Sequence, residues 1–245
     1  MLKFICIGAQ KSGTTWLYHQ LSQIEQVRFP GGKEIHYWNA RYRHEPLSWY
    51  QALFSRDEQL IEGDITPAYA TLDIDTIRRV HQHYPAIKIL FILRNPIERA
   101  WSSALMALKR AELEIDEVSD QWFIDHFRSR GSRARGDYEA TLRRWRAVFG
   151  ADAVRLIWYD DIRHRPRQVL QQVCAELGLE SPQSLQETEQ RIFAGPGHGI
   201  RPSLLPELDR LYTDPIISLA VYLQRDLNHW LQPVASVELK SPAVD

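Results

Sequence analysis

The segment Gly8-Ala-Gln-Lys-Ser-Gly-Thr-Thr15 gathers the residue types best suited to holding an anion. Gly8 and Gly13 keep the G-x4-G spacing of a phosphate-binding loop, in which backbone N–H groups turn toward the ligand. The Lys-Ser/Thr pair of a nucleoside-triphosphatase loop is missing after the second glycine. Thr14 and Thr15 stand there, and the lysine has moved into the loop as Lys11. Lys11 adds a full charge, and Ser12, Thr14 and Thr15 add hydroxyl donors. That set suits an oxyanion but does not organise Mg²⁺ on a γ-phosphate. A second basic–hydroxyl pair is Arg94 and Ser102, within Leu93-Arg-Asn-Pro-Ile-Glu-Arg-Ala-Trp-Ser-Ser103. Arg94 at a strand end and Ser102 on the following helix can share one phosphate. The same residues also read as a plain helix start with Arg94 paired to Glu98. For proton transfer the candidates are Glu34 and His36 in Gly32-Lys-Glu-Ile-His-Tyr-Trp38. Their alternation equally reads as a surface strand with Glu34, His36 and Trp38 on one face.

These residues need elements to position them. Leu2–Gly8 and Lys88–Leu93 are short apolar runs of the kind that form buried strands, and Val154–Tyr159 and Leu60–Glu62 are further strand candidates. Helical spacing covers Thr14–Ser22, Asp73–Tyr84 with Asp73 as N-cap, Asn95–Arg110 with Pro96 in its first turn, Tyr138–Phe149 and Arg165–Leu177. The tail predicts two more helices, Leu204–Tyr212 and Pro215–Trp230. Strands separated by helices imply parallel pairing, hence a three-layer α/β/α fold with its site at the carboxyl ends of the strands.

Composition narrows the class. The 245 residues are 44% hydrophobic and 25% charged, and neither a repeat nor a linker divides them, so one domain over 1–245 is expected. Lys+Arg 30 against Asp+Glu 31 lacks the basic excess of a nucleic-acid binder. Two cysteines, Cys6 and Cys174, exclude a disulfide framework and a Cys-rich zinc module, and both read as small core residues. The apolar stretch Ile87–Leu93 contains a lysine and is far too short to span a bilayer, and the N-terminus lacks a leader pattern. The expectation is a cytoplasmic enzyme with no membrane and no nucleic-acid partner.

Gln10-Lys-Ser-Gly-Thr-Thr-Trp16 resembles the 5′-phosphosulfate loop of the sulfotransferases that use 3′-phosphoadenosine 5′-phosphosulfate (PAPS). Arg94…Ser102 resembles their 3′-phosphate motif. Glu62-Gly-Asp-Ile-Thr-Pro-Ala-Tyr69 is similar to the E-K-T-P-A-Y segment of the heparan-sulfate branch, and Tyr159-Asp-Asp-Ile with Glu176-Leu-Gly-Leu179 to another family stretch. Gly195–Pro202 falls where the family closes a loop over the donor, with Arg201 either a phosphate contact or a solvated arginine. Lys33–Trp38 resembles the E-V-H-F-F segment of glucosaminyl 3-O-sulfotransferases. The resemblance therefore implies a P-loop-like sulfotransferase fold, PAPS as donor, 3′,5′-ADP (PAP) as product and no metal. It implies donor contacts from Lys11, Ser12, Gly13, Thr14, Thr15, Trp16, Arg94, Ser102 and Arg201. It implies Glu34 as base, with His36 as alternative base or orienting partner, and Lys11 on the leaving phosphate.

One departure bears on the acceptor. Asp64 is read as standing where the heparan branch has its lysine, alongside Glu62; its other reading is a cap for the Thr66-Pro67 turn. With Glu34 this makes an acidic acceptor side, and Trp38 is a candidate apolar wall. The expected acceptor is a small neutral or cationic metabolite bearing a hydroxyl, less readily an amine, in a bacterial small-molecule member of the family. Competing readings are a carbohydrate acceptor, a P-loop small-molecule kinase, and a nucleotide-binding domain without turnover.

Overall fold

A computed structural model describes residues 1–181 and 199–231. Five parallel strands form one sheet: β1 (Leu2–Gly8), β2 (Val27–Arg28), β3 (Ile61–Ile65), β4 (Lys88–Leu93) and β5 (Val154–Trp158). Their order is β2-β3-β1-β4-β5. The chain leaves β1 to build β3 on one side and then crosses to build β4 on the other. The end of β1 is therefore the switch point of the sheet, where open α/β folds bind ligands.

The chain divides into two compact units, Met1–Arg94 with Ala140–Ile192, and Asn95–Glu139 with Phe193–Asp245. The first contains the sheet. Phe4, Cys6, Leu90 and Ile92 point into an apolar core with Trp16, Leu17 and Leu21 of α1 (Thr14–Ser22), Ile162 of α8 (Tyr159–His164) and Val169, Leu170 and Val173 of α9 (Pro166–Leu177). Alternation turns Ile5, Ile7, Ile89 and Phe91 to the opposite face, where they are also fully buried. Helices α3 (Ile74–His83) and α7 (Tyr138–Phe149) bury Ile77, Val80, Leu142 and Trp145, and their ends meet where His81 and Phe149 lie edge to face. A short α2 (Leu47–Ala52) completes this unit. Helices flank both faces, which makes the three-layer α/β arrangement. Each fully buried Leu, Ile or Phe contributes about 1.5–3 kcal/mol. Burial pushes the Cys6 thiol up to about 12 and that of Cys174 up to about 11, so both behave as inert core residues.

The predicted boundaries hold closely for β1, β4, α1, α3 and α7, and Asp73 caps α3 by accepting from Thr76 N at 2.7 Å. Two predictions need correction. β3 runs to Ile65 rather than stopping at Glu62, because Gly63 and Asp64 are poor strand formers by propensity alone. Packing overrides that preference. The Phe4 ring covers Gly63 so closely that a Cβ there would sit 2.2 Å from Phe4 Cζ. The stretch 34–38 is no strand at all; Glu34 and His36 have φ of 66° and 58°, in the left-handed region.

The second unit is helical: α4 (Pro96–Arg110), α5 (Asp120–Arg128), α6 (Arg130–Gly136) and α10 (Leu205–Leu223), with α4 packed on the other three. Asn95 caps α4 by accepting from Ile97 N at 2.9 Å. The pattern predicted neither α5 nor α6. It also split the tail at Pro215, yet α10 runs through that proline, and only a 3-10 turn at Asn228–Trp230 follows. A proline removes one helical hydrogen bond, and burial of Leu208, Tyr212, Ile216 and Leu219 along one face outweighs that loss.

Candidate active site

In the sheet-bearing unit the candidate residues leave the carboxyl ends of successive strands. The anion loop follows β1, and Glu34 and His36 follow β2. Thr66 to Tyr69 follow β3, Arg94 follows β4 and Tyr159 follows β5. Parallel pairing brings these ends to one edge.

The β1 loop is held from several sides. Ala9 N donates to Ile92 O at 2.9 Å, and Ser12 N to Ala9 O at 3.2 Å. Gly13 is the N-cap of α1 at φ 94°, a conformation that suits glycine, and a Cβ there would lie 3.2 Å from the Tyr159 ring. Arg94 stacks on the same ring, with its guanidinium carbon 4.5 Å from the centroid, and donates to Lys11 O at 2.9 Å. Tyr159 thus braces both the loop and the arginine. The first α1 bond is Leu17 N to Gly13 O, so the N–H groups of Thr14, Thr15 and Trp16 precede intrahelical pairing and carry the positive end of the helix dipole. Lys11 is half-buried in the left-handed region. Ser12 is fully buried, and its hydroxyl has no hydrogen-bond partner among the described residues. An orphaned hydroxyl inside a cradle of N–H groups fits the sulfate or phosphate end of a nucleotide donor. Trp16 is different: it lies in the apolar core with Leu17 and Leu21, so its indole is packing rather than a donor contact.

The β2–β3 side is built on Asp64. Its carboxylate is fully buried and accepts from Thr66 Oγ1 at 2.6 Å, Tyr69 OH at 2.8 Å and Tyr50 OH at 2.9 Å. Burial raises its pKa, and the three hydroxyls and nearby His36 oppose that rise. The hydroxyls then reach the loop: His36 N donates to Thr66 Oγ1 and Trp38 N to Tyr69 OH, both at 3.4 Å, while Glu34 N donates to Ile65 O at 3.1 Å. Alternate N–H groups of 34–38 therefore run along the end of β3. Only the backbone alternates. Glu34 is exposed, His36 half-buried and Trp38 buried among Tyr37, Tyr50 and Tyr84. Trp38 is therefore core, not an acceptor wall.

Glu34 Oε2 lies 3.3 Å from His36 Nε2, and Glu34 Oε1 2.5 Å from Lys33 Nζ. His36 Nδ1 is 3.1 Å from Asn39 Oδ1. If Asn39 accepts there, Nδ1 carries a proton, and Nε2 and Glu34 share a second one. The pair is a proton acceptor.

Two expectations about the acceptor side fail. Glu62 sits at the amino-terminal end of β3, paired in register with Leu2 and Arg28, away from the carboxyl edge. Its carboxylate accepts from the Met1 ammonium at 2.7 Å and from Ser55 N at 2.8 Å. Asp64 faces three hydroxyls rather than a cavity. Counted back from Thr66-Pro67-Ala68-Tyr69, moreover, Asp64 occupies the place of the glutamate in E-K-T-P-A-Y, and buried Ile65 that of the lysine.

Two expected donor contacts lie in the helical unit. Ser102 is half-buried on α4. Arg201 is already committed: it donates to Val118 O at 3.1 Å, to Asp120 Oδ1 at 2.8 Å and to Ile115 O, and it caps the Phe123 ring at 4.9 Å. Those contacts anchor the segment before α5 and leave its fork little to offer a phosphate. Residues 195–198 of the expected closing loop lie outside the described residues. Among the described residues there is no cluster of metal-ligating side chains, and no helix is long and apolar enough to cross a membrane.

Comparison with known proteins points one way. The sulfotransferase domain profile matches residues 2–194. A sulfotransferase structure from Alicyclobacillus acidocaldarius superposes with a TM-score of 0.75 at 27% identity, covering 95% of this chain and 99% of that one. Mouse sulfotransferase SULT7A1 complexed with PAP shares the fold, with a TM-score of 0.58 at 15% identity over 91% of this chain and 88% of that one. The membrane-associated sulfotransferase kil1 of Dictyostelium discoideum is 35% identical over 49% of this chain and 27% of its own length. Human bifunctional heparan sulfate N-deacetylase/N-sulfotransferase 2 is 26% identical over 72% of this chain and 22% of its own. The matched region thus makes up about a quarter of these two curated relatives. With its parallel sheet, switch-point anion loop and profile match, the chain belongs to the sulfotransferase family and is a sulfotransferase enzyme.

Proposed function

We propose that the chain transfers a sulfo group from PAPS to an acceptor hydroxyl, with Glu34 as base and Lys11 offsetting charge on the leaving phosphate. The observation that carries this reading is the buried, unpartnered Ser12 hydroxyl in the loop at the switch point. When bound, PAPS supplies an activated sulfo group. Ser12, the N–H groups of Gly13, Thr14 and Thr15, and the Lys11 ammonium hold its 5′ end; Arg94 supplies a fork for the 3′-phosphate, and Ser102 is assigned to that phosphate on sequence spacing alone. Glu34 accepts the proton of the attacking hydroxyl, an acceptor O–S bond forms and the S–O bond to the phosphate breaks. His36 steadies the Glu34 carboxylate and shares its proton. Asp64 acts indirectly, through Thr66 and Tyr69, by holding the loop that presents them.

The acidic acceptor side loses its support once Glu62 and Asp64 are removed from it, because Glu34 then has cationic Lys33 beside it. A second reading is transfer to an amine, favoured by the similarity to heparan sulfate N-deacetylase/N-sulfotransferases; an aminosugar is the corresponding acceptor. The test is calorimetry with PAP, followed by PAPS turnover against hydroxyl and amine acceptors with mass detection of the added sulfo group. Tight metal-free PAP binding is expected. Binding of Mg-ATP with none of PAP overturns the reading in favour of a kinase, and PAP binding without turnover favours a non-catalytic nucleotide-binding domain.

A further inference from the structure

The helical unit concentrates positive charge that the transfer reaction does not use. Arg128, Arg130, Arg133 and Arg135 fall in the segment Arg128-Ser-Arg-Gly-Ser-Arg-Ala-Arg135, in a chain whose net charge is −1. Three of them, with Gly136, Asp137 and Tyr212, line a cavity of about 370 Å³. Glu207 neutralises Arg128, at 2.8 Å, and also Arg210, at 2.6 Å. Arg130 and Arg133 are exposed, and Asp137 is the one carboxylate among the lining residues.

Behind this wall sits Arg99, fully buried. Its Nη2 donates to Ser132 O at 2.9 Å, Ser132 Oγ at 3.1 Å and Tyr212 OH at 3.4 Å. Its Nε and Nη1 have no hydrogen-bond partner among the described residues. The Nε edge faces the cavity wall at Gly136, where a Cβ would lie 3.6 Å from it and 2.9 Å from the Tyr212 ring. Glycine at 136 keeps that edge uncovered. The surrounding groups feel the excess: burial and then Arg99 lower the pKa of Arg135, and burial, Arg99 and Arg135 lower that of His126. A buried guanidinium with two unsatisfied edges is costly, and an anion in front of it offsets that cost.

We propose that this cavity is an oxyanion site, distinct from the β1 loop, for a sulfate or phosphate ester group. Arg130 and Arg133 grip the oxyanion from the rim as forks, and Arg99 supplies charge from beneath Gly136. The shared chemistry is a tetrahedral dianion; a sulfated or a phosphorylated ligand presents it equally.

The test is calorimetric titration of inorganic sulfate, and separately inorganic phosphate, into the intact protein at constant ionic strength. Both are measured alone and with saturating PAP. The proposal expects a saturable site with a Kd on the order of 1 mM that persists under PAP. It expects at least about tenfold weakening in the Arg130→Ser/Arg133→Ser double variant and none in Lys11→Ala. Tighter sulfate than phosphate identifies a sulfate ester as the ligand, and the reverse a phosphate ester. Displacement of either anion by PAP, loss of binding in Lys11→Ala, or unchanged binding in the double variant overturns the proposal. Because the two rim arginines are exposed, their substitution does not threaten the fold. This outcome is also independent of whether Glu34 is the base.

Discussion

The two loops that assemble the candidate site are built in opposite ways. The β1 loop holds itself with backbone: glycines at positive φ, N–H groups at a helix start, and Arg94 bonded to the carbonyl of Lys11. The Glu34 loop is held by side chains from its neighbour. One buried carboxylate, Asp64, fixes Thr66 and Tyr69, and these take the N–H groups of His36 and Trp38. A backbone-built loop tolerates changes outside its own few residues. A loop built on a side-chain relay depends on a residue that touches no substrate.

The largest expected effect is Glu34→Gln, which should lower kcat about 10²–10⁴-fold while PAP affinity stays unchanged. Steady-state kinetics beside calorimetry checks this; near-normal turnover would transfer the base role to His36. Lys11→Ala should lower kcat about 10²–10³-fold, because its charge matters most as the leaving oxygen becomes anionic. Its effect on PAP affinity should be the smaller one. Arg94→Ala should do the reverse, weakening PAP about tenfold or more by removing a charged contact of about 1.5–3 kcal/mol, with kcat at saturating donor little changed. An equal loss of kcat and affinity in both variants would erase the division between reacting and non-reacting ends of the donor.

Asp64→Asn sharpens the comparison of the loops. It should lower kcat about tenfold, because the relay to His36 and Trp38 loosens, yet preserve PAP binding, because the β1 loop does not use it. In a Glu34→Gln background the same change should add little. Full additivity would make Asp64 a matter of stability alone.

The smallest expected effect is on acid stability, and it separates Asp64 from Glu207. Hydrogen bonds from Arg128 and then Arg210 hold Glu207 down to about 2. A carboxylate depressed in the folded state stabilises above its unfolded pKa, near 4.3, and that contribution fades as pH falls toward about 2. Asp64 has the opposite sign: its pKa is raised by burial, so its ionisation favours the folded state less as pH rises through that value. Glu207→Gln should therefore flatten the acid limb of a thermal-melting profile between about pH 4 and 2. A steeper limb would contradict the assignment.

Much of the fold was legible because its strands are short apolar runs bounded by helices with clear caps, such as Asp73 and Asn95. The β1 loop was legible for a related reason: glycine spacing and a displaced lysine are local signals. The Asp64 relay was not. Its residues are scattered over positions 36, 50, 64, 66 and 69, and only tertiary packing brings Tyr50 OH to Asp64. Glu62 and Asp64 read as acceptor-side acids because sequence cannot tell which end of a strand a residue occupies. Counting back from Thr66-Pro67 would have placed Asp64 correctly. The helices α5 and α6 were missed because their arginine-rich pattern hides the few apolar anchors, Phe123 and Phe127.

Donor choice is the most direct test of the central claim, that an anion loop without the Walker lysine serves sulfo rather than phosphoryl transfer. PAP and Mg-ATP are titrated separately into the metal-free protein and into Lys11→Ala, Arg94→Ala and Glu34→Gln. The account predicts tight PAP binding in the wild type and in Glu34→Gln, the weakest binding in Arg94→Ala, and no saturable heat from Mg-ATP. Saturable Mg-ATP binding, with PAP binding absent or indifferent to Arg94, would contradict it.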